Sequence, residues 1–380
     1  MINKLEISNL KLHDKTLLNL KGLTILTGMN GMGKSSVIQA LLLLRQSFIM
    51  NDLDNGLNLK GDLCDIGTSG ELSCQSSLEH TLKINVEYDT QKPLSYIFDY
   101  PDKIYDTLLP GKGGNVTDKN ILSNYSLFNS HFQYLGAFRF GPQKHYGRDT
   151  SIVNTKQQIS KTLGQCEYVV HFLDQYKNME IPIKELAKEE DIDKKNGTTD
   201  LTLESQVEKW LRCISPNINI NIEQSQEDFR LKYKFNREQN LMTEEFSALN
   251  TGFGITYVLP ILVAILSAEK GSLIIIENPE AHIHPRGQAI IMQLVTQAVK
   301  YGVQVIIETH SDHIINGSLV SVQNHTITNE DLSIYYFERD ENRHTAISHS
   351  LEITETGRIK RPPHGFFDQI DIDLKTLTGF

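Results

Sequence analysis

The stretch GMNGMGKSS, Gly28 to Ser36, restricts the folds open to this chain more than any other feature. Residues 28–35 satisfy G-x-x-x-x-G-K-[ST] in full. The apolar run LTILT, Leu23 to Thr27, precedes the loop, and a helical apolar pattern follows it from Ser35 to about Phe48. Strand, glycine loop and helix in that order aim backbone N–H groups and a positive helix end at one point. Asn30, Gly31, Met32, Gly33, Lys34, Ser35 and Ser36 are therefore expected to wrap the phosphates of a nucleotide. Lys34 should reach the β- and γ-phosphates, and the Ser35 hydroxyl should ligate Mg²⁺. A turn that only started a helix would need neither Lys34 nor Ser35. The sequence contains no guanine-reading N-K-x-D element, so ATP is the expected nucleotide.

The chain has 380 residues, of which 39% are apolar and 22% charged, the composition of an ordinary globular protein. Its longest apolar runs, Ala40 to Leu44 and Tyr257 to Leu266, are shorter than the roughly 18 residues needed to cross a bilayer. The N-terminal MINKLEISNLKL alternates like a first strand and has no signal-peptide core, which gives an expected cytoplasmic location and no membrane partner. Cys64, Cys74, Cys166 and Cys213 are scattered, as reduced structural thiols would be. A net charge of −10 disfavours general affinity for nucleic-acid backbone and leaves such binding to a local basic strip.

Strands are expected at Ile2 to Ile7 and Leu23 to Thr27, and a β-rich lobe between Asn51 and Gln133. Lys184 to Asp200 is charged and reads as a solvated or mobile loop. Leu203 to Ile214 has helical spacing with Trp210 in the core. The hairpin after it puts Phe229, Leu231, Tyr233 and Phe235 on one face. From Gly252 the pattern becomes α/β: a helix through Leu266, the strand LIIIE (Leu273 to Glu277), a helix from His284 to Val299, the strand VQVIIE (Val303 to Glu308), and a short helix after Ser311. Two apolar strands separated by a helix predict a parallel sheet covered on both faces, with the chemistry at the strands' carboxyl ends.

Several separate motifs resemble ATPases of the ABC superclass, particularly its SMC/RecF/OLD branch. GMNGMGKSS resembles their phosphate loop. LIIIENPEAHIHP resembles their acidic strand and the turn after it, and VIIETHSDHI resembles the strand that ends in a switch histidine, here His310. NTGFG, Asn250 to Gly254, stands where they carry a signature loop. The tail GRIKRPPHGFFDQ, Gly357 to Gln369, resembles the C-terminal extension of a bacterial branch that also reads ENPEAH; members of the wider group are ATPase subunits of anti-phage systems such as Septu and PARIS.

The resemblance implies an α/β fold, an ABC-ATPase-like P-loop NTPase with a mixed central sheet, a β-rich lobe and a helical insert lobe. It would form one bilobed domain over residues 1–380, with subdomains inserted at 50–245 and an extension at 340–380. ATP and Mg²⁺ are the implied cofactors. The implied partners are a second copy of the chain, in a homodimer or higher homo-oligomer, and a separate effector such as a nuclease or toxin, with the chain as sensor or regulator of a bacterial defence complex. Two alternatives remain: an ATP-holding scaffold with negligible hydrolysis, and a RecF-like DNA-repair ATPase.

Within ENPE, Glu277 stands where an aspartate of these families holds Mg²⁺ through water. Asn278 stands where a glutamate deprotonates the attacking water; an amide can hold water but cannot take its proton. Glu280 and Glu308 either compensate as catalytic carboxylates, or serve as a turn cap and as an orienter of Lys34 or Mg²⁺. His310 would face the γ-phosphate, and hydrolysis would be slow. Asn250, Thr251, Gly252 and Gly254 either close over the γ-phosphate of another subunit or only start a helix. Gln143 either senses Mg²⁺ or belongs, with Arg139, Lys144 and Arg148, to a basic partner-binding loop. His284-Pro285 reads as a helix start, which leaves His282 and His284 without a metal role. Asp371 and Asp373 read as a solvated turn, because too little chain follows for a TOPRIM nuclease domain. Phe366 and Phe367 belong either to a docking surface or to the core.

Overall fold

The computed structural model describes residues 1–89, 92–102, 105–114, 118–237, 241–363, 365–367 and 369–378. Its central six-stranded sheet has the order Thr345–Ser350, Leu332–Asp340, Leu23–Gly28, Gln304–Glu308, Leu273–Glu277, Phe132–Leu135. The first of these is antiparallel to its neighbour, and the other five run parallel. Leu273–Glu277 and Gln304–Glu308 are buried at every position, which is why both read as unbroken apolar runs rather than alternating ones. The register pairs Glu277 with Glu308 and Glu308 with Leu26, so three neighbouring strands end at one edge.

A second, antiparallel sheet runs His13–Asn19, Ile2–Leu10, Thr81–Tyr88, Leu94–Asp99, Leu108–Gly114, Gly56–Asn58. Thr81–Tyr88 alternates strictly between buried and half-buried positions, with one face in the core. The helix Lys34–Ile49 shares one core with both sheets: Val37 to Leu44 cluster with Ile7 and Ile84 of one sheet and with Ile275 and Ile306 of the other. A helix packed between two sheets must be apolar nearly all round, and ALLLL meets that requirement.

The other face of the central sheet is covered by Phe253–Leu266, Pro285–Lys300, Leu203–Ile214 and Val169–Tyr176. Trp210 is fully buried there, its indole N–H donating to Leu186 O at 2.9 Å. The predicted hairpin is Ile218–Gln224 with Asp228–Phe235; Phe229, Leu231 and Tyr233 are buried, and Phe235 is half-buried at the end.

Two expectations are corrected. The charged segment 184–200 is not simply a solvated loop: it contains a 3₁₀ turn, Lys184–Leu186, and a helix, Asp191–Asn196. Its charges find partners on the helix Leu203–Ile214: Asp193 meets Lys209 at 2.7 Å with both side chains buried, and Glu190 meets Arg212 at 3.0 Å. Asp371 and Asp373 lie in a helix, Gln369–Thr378, rather than in a turn. Part of the tail motif, His364 and Asp368, lies outside the described residues. Phe366 packs on Tyr336 against the core, while Phe367 is exposed. The four cysteines are free. Among the described residues, no helix is long and apolar enough to cross a membrane.

Candidate nucleotide-binding site

The phosphate loop is shaped by its own chain. Gly28 and Gly33 have φ of 133° and 97°, and a Cβ on Gly28 would fall 2.4 Å from Phe337 O on the neighbouring strand. His13 secures the other end of the loop. Its Nε2 lies 2.9 Å from Gly33 O and its Nδ1 lies 2.8 Å from Thr16 Oγ1. A carbonyl can only accept, so Nε2 carries the proton and Nδ1 accepts from the hydroxyl. Burial lowers the His13 pKa to about 4 and keeps the ring neutral. No motif marked His13 in the sequence.

Lys34 Nζ donates to Gly28 O at 2.8 Å and to Met29 O at 2.7 Å, which holds the ammonium over the loop. Burial lowers its pKa, opposed by the nearby Glu308. Ser35 Oγ donates to Glu308 Oε1 at 2.8 Å. Lys11, Leu12, residues 30–36 and Glu308 line a cleft of about 240 Å³.

At the neighbouring strand end, Glu277 accepts from Tyr134 Oη at 3.0 Å through one oxygen and from the Ala137 N–H at 3.1 Å through the other. Burial raises its pKa against both bonds. Buried Arg139 clamps this corner, donating to Gly136 O at 3.0 Å, to Asn278 O at 2.7 Å and to Glu277 O. Asn278 sits at φ 47°, a left-handed conformation that Asn tolerates better than most residues. Its N–H donates to Glu308 O at 2.8 Å, and its side-chain Oδ1 is buried without a hydrogen-bond partner. Burial, reinforced by Glu277, pushes the Glu308 carboxyl up to about 7 despite Ser35 and Lys34. Glu280 accepts from Thr309 Oγ1 and from the His310 N–H, both at 2.8 Å, and so pins the turn that carries His310. Desolvation and the Lys34 charge lower the His310 pKa.

The edge of the sheet thus brings together Lys34, Ser35, Glu277, Asn278, Glu280, Glu308 and His310. Gln143 does not join them through a hydrogen bond: its amide donates to Gly141 O of its own loop at 3.4 Å. Arg148 lies over the Phe229 ring and donates to Ser225 O, so it belongs to the hairpin. Arg139, which the sequence grouped with a basic loop, is instead the buried clamp of the acidic corner.

The signature-like residues form a short 3₁₀ turn, Ala248–Asn250, followed by the start of the helix Phe253–Leu266, with Gly252 as its cap. Thr251 Oγ1 donates to Ser247 O at 3.0 Å. Asn250 and Gly252 are exposed. A Cβ on Gly254 would lie 2.4 Å from His282 O, and the Phe253 and Tyr257 rings flank the His282 ring. The turn after the acidic strand therefore packs on the signature-like helix start. His284 caps the helix Pro285–Lys300, with proline at its start as expected. Among the described residues, no group of three His, Cys, Asp or Glu could hold a metal ion.

The model of the AAA ATPase domain family matches residues 1–200 and 140–315. A second model, for a protein of unknown function (DUF3696), matches residues 327–377. No curated protein matches the chain. Among solved structures, an SMC head bound to the C-winged helix domain of ScpA is 12% identical, covers 92% of this chain and 98% of its own, and superposes with a TM-score of 0.51. An SMC head domain with an extended coiled coil, bound to the C-terminal domain of ScpA and derived from Pyrococcus furiosus, is 13% identical, covers 100% and 98%, and has a TM-score of 0.50. The likeness at these identities is one of fold, a mixed α/β SMC-head-like P-loop ATPase.

Proposed function

As the chain belongs to the AAA ATPase domain family, we propose that it binds ATP with Mg²⁺ at residues 28–36 and hydrolyses the nucleotide slowly. The observation that carries this reading is the cleft lined jointly by Lys34, Ser35 and Glu308. The residues fit a divalent cation: the Ser35 hydroxyl stands beside a carboxylate with one buried oxygen, Glu308 Oε2, that has no hydrogen-bond partner. Bound there, Mg²⁺ would neutralise charge on the transferring phosphoryl group. Lys34 would exchange its two carbonyls for phosphate oxygens. Asn278 would orient water without accepting its proton, and Glu280 would hold His310 towards the γ-phosphate. Phosphoryl transfer depends mainly on positioning and charge, so turnover would be slow rather than absent.

The exposed helix start at Gly252 supports a composite site in which one copy's signature-like loop covers the nucleotide of another, giving a symmetric homodimer or higher assembly. The ENPEAH strand and the tail support a sensor or regulatory role in a bacterial, anti-phage defence complex that controls a separate effector. The two SMC heads each carry a bound domain of another protein, which is compatible with partner docking here. A scaffold that holds ATP without hydrolysing it is the second reading, favoured by the amide at Asn278. Turnover under excess ATP, measured against Lys34→Ala, decides between them. Wild-type turnover above that control supports hydrolysis, and equal rates select the scaffold. Absence of ATP binding by the wild type overturns both.

A further inference from the structure

We propose that the carboxylate meeting Mg²⁺ in this cleft comes from Glu308 and not from Glu277 of the acidic strand. The assignment rests on the ATP-binding reading above. Glu308 accepts a hydrogen bond from the Ser35 hydroxyl at 2.8 Å and lines the cleft. Its second oxygen, Oε2, is buried without a partner, as expected of a group placed to receive a cation. Glu277 is differently committed. Both of its oxygens accept hydrogen bonds from the Phe132–Leu135 side of the sheet, from Tyr134 and Ala137, and it does not contribute to the cleft lining.

Sheet order is compatible with the assignment, which the hydrogen bonding of the two carboxylates carries. The strand Gln304–Glu308 lies between the phosphate-loop strand and the strand of Glu277, and Glu277 pairs in register with Glu308. Neighbouring strands are about 4.8 Å apart, so Glu277 starts about twice that distance from the loop, and Glu308 fills the position between. Two buried carboxylates at adjacent strand ends repel each other. The arrangement accommodates this by turning Glu277 towards Tyr134 and leaving Glu308 beside Ser35 and Lys34. A further carboxylate at position 278, whose N–H already donates to Glu308 O, would raise that repulsion, whereas an amide adds none. Asn278 and Glu308 are then one exchange, in which the charge absent from position 278 stands one strand nearer the phosphates.

The test compares ATP affinity by calorimetry, with Mg²⁺ and with EDTA, for wild type, Glu308→Gln and Glu277→Gln. Mn²⁺ binding to each ADP complex, followed by EPR, gives a second readout independent of turnover. Glu308→Gln should lose about tenfold or more of the gain in affinity that the metal gives, with Mn²⁺ binding weakened to match. Its metal-free ATP affinity should equal or exceed that of wild type, because an anion beside the phosphates is gone; this also shows that the variant is folded. Glu277→Gln should keep the gain. The reverse pattern, or equal loss in both variants, overturns the assignment and leaves the ATP-binding reading standing. A wild type that binds no ATP with or without metal overturns both.

Discussion

The phosphate loop and the loop at Asn250 to Gly254 are both glycine-bearing starts of buried helices, yet the chain holds them in opposite ways. The phosphate loop is tied down internally: Lys34 to two carbonyls, Ser35 to Glu308, and Gly33 to His13. Its glycines are required locally, by left-handed φ and by the closeness of Phe337. In the signature-like loop only Gly254 is required, by His282 O. Gly252 has a φ of −55°, which any residue adopts, and a Cβ there would meet nothing within 4 Å. Leu249 and Phe253 beside it are 50% and 59% exposed. One loop is finished within the chain, and the other presents an open helix start with apolar neighbours to whatever approaches from outside.

The largest effect should come from the acidic corner beside the first loop. Arg139→Ala leaves three buried backbone carbonyls without their donor, and should cost about 3–5 kcal/mol of stability. Urea unfolding of the variant checks this, and a loss below about 1 kcal/mol would mean that the acidic corner does not depend on the clamp. Next, Lys34→Ala should weaken ATP binding on the order of a hundredfold or more, the worth of charge-assisted contacts to two phosphates, while leaving the fold intact. Unchanged affinity in a folded variant would remove the functional distinction between the loops.

Gly252 tests the open loop. Gly252→Asp places a good capping residue in free space at an unstrained φ, so chain stability should stay within about 0.5 kcal/mol of wild type. ATP affinity of the separate chain should also be unchanged. If the loop closes on the phosphates of a second copy, the new charge should lower ATP-driven association and turnover about tenfold, as read by light scattering and phosphate release. Unaltered association would make the loop a plain helix start. Gly254→Ala should behave in the opposite way, losing stability even in the separate chain because its Cβ meets His282 O.

Legibility followed the same division. The phosphate loop, the two all-apolar strands and the proline-started helix at His284 could be read because each rests on residues close in sequence whose spacing has one physical meaning. His13, Tyr134 and Arg139 could not. Each acts through a contact made only once the sheets are assembled, and a lone histidine in an alternating strand looks like any other. The charged segment 184–200 hides its structure for a related reason: its partners Lys209 and Arg212 sit on the next helix, and composition alone cannot show that charges are paired. The position of Glu277 is legible in ENPE, but its hydrogen-bond partners Tyr134 and Ala137 come from the Phe132–Leu135 side of the sheet and could not be read from the motif.

The smallest predicted effect is a pH dependence that marks the first loop's internal anchor. His13 is buried and neutral, with its pKa lowered from 6.5 to about 4. Between those values the unfolded chain binds a proton that the folded chain refuses, so stability rises with pH through the window and is lost on acidification. By pH 5.5 the loss should be about 1–2 kcal/mol. Glu308 works the other way: its raised pKa makes the folded chain hold the extra proton between about 4.5 and 7, so its contribution falls as pH rises. A single pH profile therefore mixes the two, and the informative quantity is the difference between wild type and His13→Gln. The amide of Gln can still donate to Gly33 O but does not titrate. Denaturant unfolding at pH 7.5, 6.5, 5.5 and 4.5 should show wild type losing stability relative to the variant below pH 6.5, with no divergence above it. Parallel profiles would mean that folding leaves the His13 pKa unchanged, and a wild type that gained stability relative to the variant on acidification would mean that the phosphate loop is anchored by a cation rather than by a neutral donor.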